Sequence, residues 1–197
     1  AYFWEVGSSV VLSAVVSISE DAPVGHTAIA WIDIGSLNTS YESMISIPLN
    51  IGMLMDNFET EDFSSHDWSF AGQGEWFIQS DQVFDGNYAA RSGAVSNNQS
   101  SELLVDYNVL NQGYIRFNAK VSSEQGSSGT PYDYLNFYID NEELVLVGGD
   151  SDWAEYSYLV SPGQHTFKWV YEKDNAGLFG DDCAWIDNII FPPGSIP

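Results

Sequence analysis

The stretch DDCAWIDNIIF, residues 181–191, reads as a strand punctuated by carboxylates. Asp187 is set among Trp185, Ile186 and Ile189. A lone charge among apolar neighbours is costly, so it needs a cation or several hydrogen-bond donors. Three roles are open to it: catalysis, metal binding, or acceptance of backbone N–H groups from a neighbouring loop. Strand alternation predicts Trp185, Asp187, Ile189 and Phe191 on one face, with Ala184, Ile186, Asn188 and Ile190 on the other.

Nucleophilic catalysis has little to build on. The chain holds three histidines, His26, His66 and His165, and one cysteine, Cys183. His66 follows two serines in SSHDW, but adjacency in sequence is not triad geometry. His165 opens a strand in GQHTFKW. Cys183 follows Asp181 and Asp182, whose charges raise a thiol pKa rather than activate it. It is expected to be a small buried residue. A zinc site needs clustered His or Cys, and that pattern is missing. Among 28 acidic residues, no spacing singles out the carboxylate pair of a glycosidase. The loop DNAGLFGDD (174–182) lacks the alternating ligands and terminal Glu of an EF-hand. It reads as a strand connection able to lend Asp181 or Asp182 to a site. The loop SSEQGSSGTPYD (122–133) lacks the Lys and the strand-to-helix context of a phosphate loop. Asn38 and Asn98 each head an N-glycosylation acceptor pattern.

Aromatic side chains are the other source of chemistry, since exposed rings stack on sugars or anchor a protein partner. The candidates for ligand contact are Trp76, Tyr132, Trp153 and Tyr156, with Tyr134 and Tyr158 beside them. In DWAEYSYLV, alternation places Trp153, Glu155, Ser157 and Leu159 on one face. Ala154, Tyr156, Tyr158 and Val160 take the other, and one of the two faces is core. Trp68, Trp169 and Trp185 are expected in the core.

These residues must be positioned by strands. Helical periodicity is nearly absent. Short β-rich runs recur instead, at 9–18, 26–34, 42–50, 54–60, 67–71, 76–80, 88–92, 101–107, 113–122, 134–140, 143–147, 153–160, 164–172 and 184–191. Gly, Asn, Asp and Pro separate them, and that density points to β-sandwiches. The chain of 197 residues has 44% apolar residues, enough for a sizeable core. Its net charge of −23 argues against nucleic acid and anionic membrane surfaces, which need the opposite sign. One cysteine allows no intrachain disulfide, and no run approaches the ~20 apolar residues of a spanning helix.

Composition shifts near residue 53. Residues 1–53 hold five acids and no Lys or Arg, and every base lies beyond them. This first part offers three or four strands, against the ~7 of an immunoglobulin-like sandwich. The remainder offers about ten, which suits a jelly roll. That fold sets its first and last strands side by side, bringing 55–63 next to 184–191.

The stretch DNFETEDFSSHDWSFAGQGEWFIQSDQVFDGNYAARSGAVSNNQSSELLV resembles the opening of bacterial MAM-like jelly-roll modules. These include the cleaved adhesin domains attached to gingipain-type cysteine proteases. The shared pattern is Phe58-Glu59, Trp68, the G-x-Y-x-A-x-S-G segment from Gly86 to Gly93, and Gln99 to Leu103. DYLNFYID, GQHTFKWVYEKD and GDDCAWIDNIIF extend the resemblance over about 54–192. Residues 8–52, through SEDAPVGHTAIAWIDI, resemble the end of the small immunoglobulin-like domain that precedes such modules.

The expected fold is therefore all-β: a jelly-roll β-sandwich with a partial immunoglobulin-like β-domain at the N-terminus. Residues 1–53 would be the C-terminal part of that domain, 54–192 the jelly roll, and 193–197 a linker. The resemblance implies structural calcium between the terminal strands, with Glu59 and Asp187 as ligands and Asp56 and Asp182 as additions. It implies a non-catalytic adhesion or binding fragment of a larger secreted bacterial surface protein, whose partner is a protein or glycan at a cell surface. The alternatives are a carbohydrate-binding accessory module of a secreted hydrolase or protease, and a structural subunit that self-assembles through the incomplete N-terminal part.

Overall fold

The computed structural model describes residues 27–35, 42–50, 54–126 and 128–195. Among them every regular element is a strand, so the chain is all-β. The expected strand at 9–18, His26 and Asn38 lie outside the described residues.

A separate two-stranded sheet is a hairpin. β1 (Thr27–Gly35) and β2 (Glu42–Asn50) pair antiparallel from Thr27 opposite Asn50 to Gly35 opposite Glu42. Ile29, Trp31, Met44 and Ile45 on it are exposed.

Twelve further strands form two six-stranded antiparallel sheets. The first contains β4 (Ser69–Gly72), β7 (Ser100–Val109), β9 (Tyr134–Ile139), β10 (Glu142–Gly148), β12 (Gly163–Glu172) and β14 (Gly194–Ser195). Its order is β10-β9-β12-β7-β14, with β4 also on β7. The second contains β3 (Met55–Asp56), β5 (Phe77–Gln79), β6 (Ala89–Arg91), β8 (Gly113–Ser122), β11 (Ala154–Val160) and β13 (Cys183–Ile190). Its order is β11-β8-β13-β6-β5, with β3 also on β13.

Alternation along the strands builds the core between the sheets. On β7, Leu103, Val105, Tyr107 and Val109 point inward and are buried, while Asp106 is exposed. Phe117, Phe137 and Trp169 meet at the centre, with ring centroids 4.7, 5.4 and 4.9 Å apart pairwise. Truncating a ring such as Trp169 to Ala costs about 3–5 kcal/mol in such a core.

The terminal strands do lie side by side: Asp56 opposes Ile189 and Met55 opposes Ile190. Three details depart from the sequence expectation. β3 stops after two residues, because the Asp56 carboxylate accepts the Phe58 N–H at 2.9 Å and Phe58 takes a φ of 57°. β13 loses its alternation at Asn188, which has a φ of 48° where the register with β8 shifts. Beyond this bulge Ile189 and Phe191 join Ala184 and Ile186 in the core, and no longer share the face of Trp185 and Asp187. Residues 194–195, expected in a linker, pair as β14 with Asn108 and Val109.

Candidate functional site

One face of the second sheet packs on the core and the other points away. Ala184 and Ile186 belong to the core cluster, whereas Trp185 and Asp187 do not. Yet Trp185 is 2% and Asp187 0% exposed. They are covered by the loop 80–88, a strap that leaves β5, folds over the sheet and returns to β6.

Under the strap runs a row of side chains across four neighbouring strands. Lys120 on β8 opposes Trp185 on β13, Trp185 opposes Arg91 on β6, and Arg91 opposes Phe77 on β5. Cation and ring alternate along the row. The Lys120 ammonium lies 5.9 Å from the Trp185 ring centre, and the Arg91 guanidinium 5.7 Å from the same ring and 5.6 Å from Phe77. Each such contact is worth about 0.5–1 kcal/mol when exposed and about 2 when desolvated. The chain has five Lys and Arg in all. Arg116, over Tyr114 at 5.7 Å, adds a third to this sheet. The lysines of the first sheet's strand β12 and its end, Lys168 and Lys173, are committed to carboxylates instead.

The strap is tied at three points. Asp187 Oδ2 accepts the N–H groups of Phe84 at 3.0 Å and Asp85 at 3.2 Å, while its Oδ1 accepts that of Asn188 at 2.7 Å. Glu59 Oε1 accepts the N–H groups of Asn87 and Tyr88 at 2.7 and 2.9 Å, and Oε2 accepts Asn87 Nδ2 at 3.0 Å. Gln79 closes the base, its Oε1 accepting from Asp81 and Gln82 and its Nε2 donating to the Gln82 carbonyl. Gly86 has a φ of 73°, and a Cβ there would collide with the Glu59 carboxylate. The F-E pair and the G-x-Y segment, far apart in sequence, are thus two halves of one clamp. The Asn87 side chain, then the backbone N–H groups of Asn87 and Tyr88, hold the Glu59 carboxyl below its ordinary pKa. Burial pushes the Asp187 carboxyl up, with its three N–H donors opposing.

Over the row, Lys120 Nζ donates to Gln82 Oε1 at 3.0 Å, and Phe84 packs on Trp153 with ring centres 5.9 Å apart. A cleft of about 160 Å³ remains at the Phe77 end. Phe77 and Trp185 form its apolar walls, and Arg91, Gln82, Asp81 and Asp181 bring polar groups to it. Arg91 Nε donates to Cys183 Sγ at 3.1 Å and Nη2 to the Asp181 carbonyl at 3.2 Å, which aims the guanidinium. The arrangement offers ring surface, N–H donors and carboxylate acceptors within one small opening.

Several sequence expectations are corrected here. Trp76 is 3% exposed and belongs to the core, so it is not a ligand platform. Tyr156 stacks on Phe117 at 5.5 Å on the core side of β11, and burial raises its phenol pKa. Trp153 adjoins the strap, and Tyr132 is exposed on the loop 123–133. Trp185 is buried, but by the strap and its cations rather than by the core.

The four carboxylates proposed as calcium ligands are not gathered into one site. Asp187 and Glu59 face N–H donors of the strap. Asp56 accepts from Phe58 N and, at 2.8 Å, from Trp68 Nε1. Asp182 precedes the opposite end of β13 and pairs with Lys173, with Tyr171 also donating to it at 3.2 Å. Each of the four accepts two or three hydrogen bonds from protein donors. Among the described residues no three His, Cys, Asp or Glu side chains converge to hold a metal.

The other chemistry-bearing residues are occupied structurally. Burial pushes the Cys183 thiol up to about 11, with Arg91 pulling it down and Asp181 and Asp182 adding to the rise. His66 is buried and stacks on Phe191 at 4.9 Å. His165 sits with its ring nitrogens 3.0 Å from Asp140 Oδ2 and 3.0 Å from the Ser161 carbonyl, with no nucleophile between them. Phe77, Arg91 and Lys120 were not singled out from sequence. The usable signal was the scarcity of bases: Arg116 and Lys120 share a face of β8 at even spacing.

No protein-family model matches the sequence, and no curated protein matches it. Solved structures do share its fold. A carbohydrate-binding module of the β-sandwich superfamily aligns over 83% of this chain and 73% of its own, at 16% identity and TM-score 0.50. A cleaved adhesin domain of Lys-gingipain from Porphyromonas gingivalis aligns over 73% of this chain and 99% of its own, at 11% identity and TM-score 0.53. The secreted serine protease VesC from Vibrio cholerae aligns over 87% of this chain but 35% of its own, at 16% identity and TM-score 0.53. The fold is a jelly-roll β-sandwich similar to those of cleaved adhesin and carbohydrate-binding modules.

Proposed function

We propose that this chain is a non-catalytic binding module that works outside the cell and holds a saccharide at the strap-side cleft of its second sheet. The observation that carries this is the Lys120–Trp185–Arg91–Phe77 row, which opens on that cleft. Saccharides present apolar ring faces and hydroxyl groups that both donate and accept. The cleft matches them with the exposed ring of Phe77, with Arg91 and Gln82 as donors, and with Asp81 and Asp181 as acceptors. Likeness to a carbohydrate-binding module, a cleaved adhesin domain and a secreted protease supports an extracellular binding role. That support is by analogy of fold.

A glycan array probed with the purified chain tests the proposal. Binding to a restricted set of saccharides is expected, with Arg91→Ala abolishing it while the far-UV and near-UV circular dichroism stay unchanged. An array without signal, or a signal indifferent to folded Arg91→Ala, would overturn it.

The hairpin favours a second reading, assembly into a larger extracellular structure. Ile29, Trp31, Met44 and Ile45 leave apolar side chains exposed on both of its strands, as a surface awaiting cover does. Sedimentation of the intact chain as a monomer across its soluble range would remove this reading.

A further inference from the structure

We infer that the cleft binds the terminus of a neutral saccharide chain, end-on, rather than the middle of a chain laid along the sheet. This rests on the saccharide reading above and adds the mode and class of ligand.

The first ground is the strap. An open sheet face would let an extended polymer run across β8, β13, β6 and β5. Here Asp187 holds Phe84 and Asp85 over β13, Gln82 caps Lys120, and Phe84 meets Trp153 in front of β11. The track is blocked beyond Trp185. What stays open is the Phe77 end, and its volume of about 160 Å³ falls below the roughly 300–1,000 Å³ of sites that enclose whole ligands. It has room for one terminal unit, with the rest of the chain directed into solvent.

The second ground is charge. Arg91 brings one cation to the opening, but Asp81 and Asp181 bring two carboxylates. Both Asp81 and Asp181 are exposed. The chain as a whole carries −23, so a polyanionic glycan meets repulsion both in the cleft and on approach. A neutral sugar instead supplies hydroxyl protons to the two carboxylates and hydroxyl oxygens to the guanidinium.

Isothermal titration of the full chain tests this. The probes are glucose, mannose and xylose, the β-1,4-linked di-, tetra- and hexasaccharides of each, and galacturonate oligomers. For the series that binds, affinity is expected to change by less than about threefold from disaccharide to hexasaccharide. Asp181→Asn should weaken every length by the same factor. Tyr114→Ala, at the far end of the same sheet, should change nothing. Affinity that climbs by about tenfold or more with length, or a Tyr114→Ala loss confined to the hexasaccharide, would overturn end-on binding and leave the saccharide reading standing. Preference for the galacturonate series would overturn neutrality alone. Silence from every probe would overturn both this inference and the reading beneath it.

Discussion

Asp187 and Phe84 stand 103 positions apart in sequence, and the carboxylate of the first accepts the backbone N–H of the second at 3.0 Å. That bond explains why a strand as apolar as AWIDNIIF carries an acid at its middle. The charge faces away from the core and pins a loop. Glu59 repeats the device from the turn that follows β3, so the strap is clamped near both ends of the jelly roll.

Asp187→Ala leaves the N–H groups of Phe84 and Asp85 without their acceptor. Each orphaned group costs about 1–3 kcal/mol where water is excluded, so urea unfolding should show a clear loss of stability. Asp187→Asn keeps a carbonyl oxygen and should lose much less. Equal losses for the two variants would show that strap acceptance is not the role of Asp187.

The same residue sets a pH dependence. Burial raises its folded pKa above the ordinary value of 3.8, so the folded state binds the proton more readily than the unfolded one. Its contribution to stability is therefore fully present below 3.8 and is lost as pH rises through the folded value. Wild type should gain stability relative to Asp187→Asn as pH falls through that window. A flat difference between the two unfolding free energies would contradict this sign.

Gly86→Ala places a Cβ against the Glu59 carboxylate at a φ of 73°. The backbone strain should cost about 1–3 kcal/mol. Thermal unfolding should register it, and hydrogen exchange at Asn87 and Tyr88 should quicken. Unchanged exchange at those two amides would count against the clamp.

Lys173 and Asp133 have fully buried side chains 3.1 Å apart, and Asp182 shares the ammonium. Desolvation pulls the Lys173 pKa down, but bonds to Asp182 and Asp133 outweigh it and the net shift is upward. Lys173→Met should cost about 3–5 kcal/mol by stranding Asp133. Adding Asp133→Asn should restore part of that loss. Additive losses in the double variant would mean that the pair is not coupled.

Chelation tests the calcium expectation directly. With Asp187 and Glu59 occupied by N–H donors, a chelator should leave the melting temperature of the purified chain unchanged. A fall on chelation, reversed by added calcium, would mean that the metal binds the folded state. It would return these carboxylates to the role first proposed for them.

The sequence by itself determined the strands, because period-two alternation and turn residues are local properties. β8 and β2 fall on their expected residues, and the pairing of the terminal strands followed from the jelly-roll pattern. Tertiary structure alone decided which buried residues are core. From sequence Trp185 is expected in the core and Trp76 at a ligand surface, yet both are buried. One is covered by a folded-back loop and two cations, the other by the sandwich interior. Asn188 shows the same limit, since one residue in the left-handed region moves Ile189 and Phe191 to the opposite face. The clamp residues were legible as the pairs F-E and G-x-Y. What joins them is a set of backbone N–H groups, which every residue but proline carries. Side-chain identity therefore could not say where those N–H groups would find their acceptors until the chain had folded.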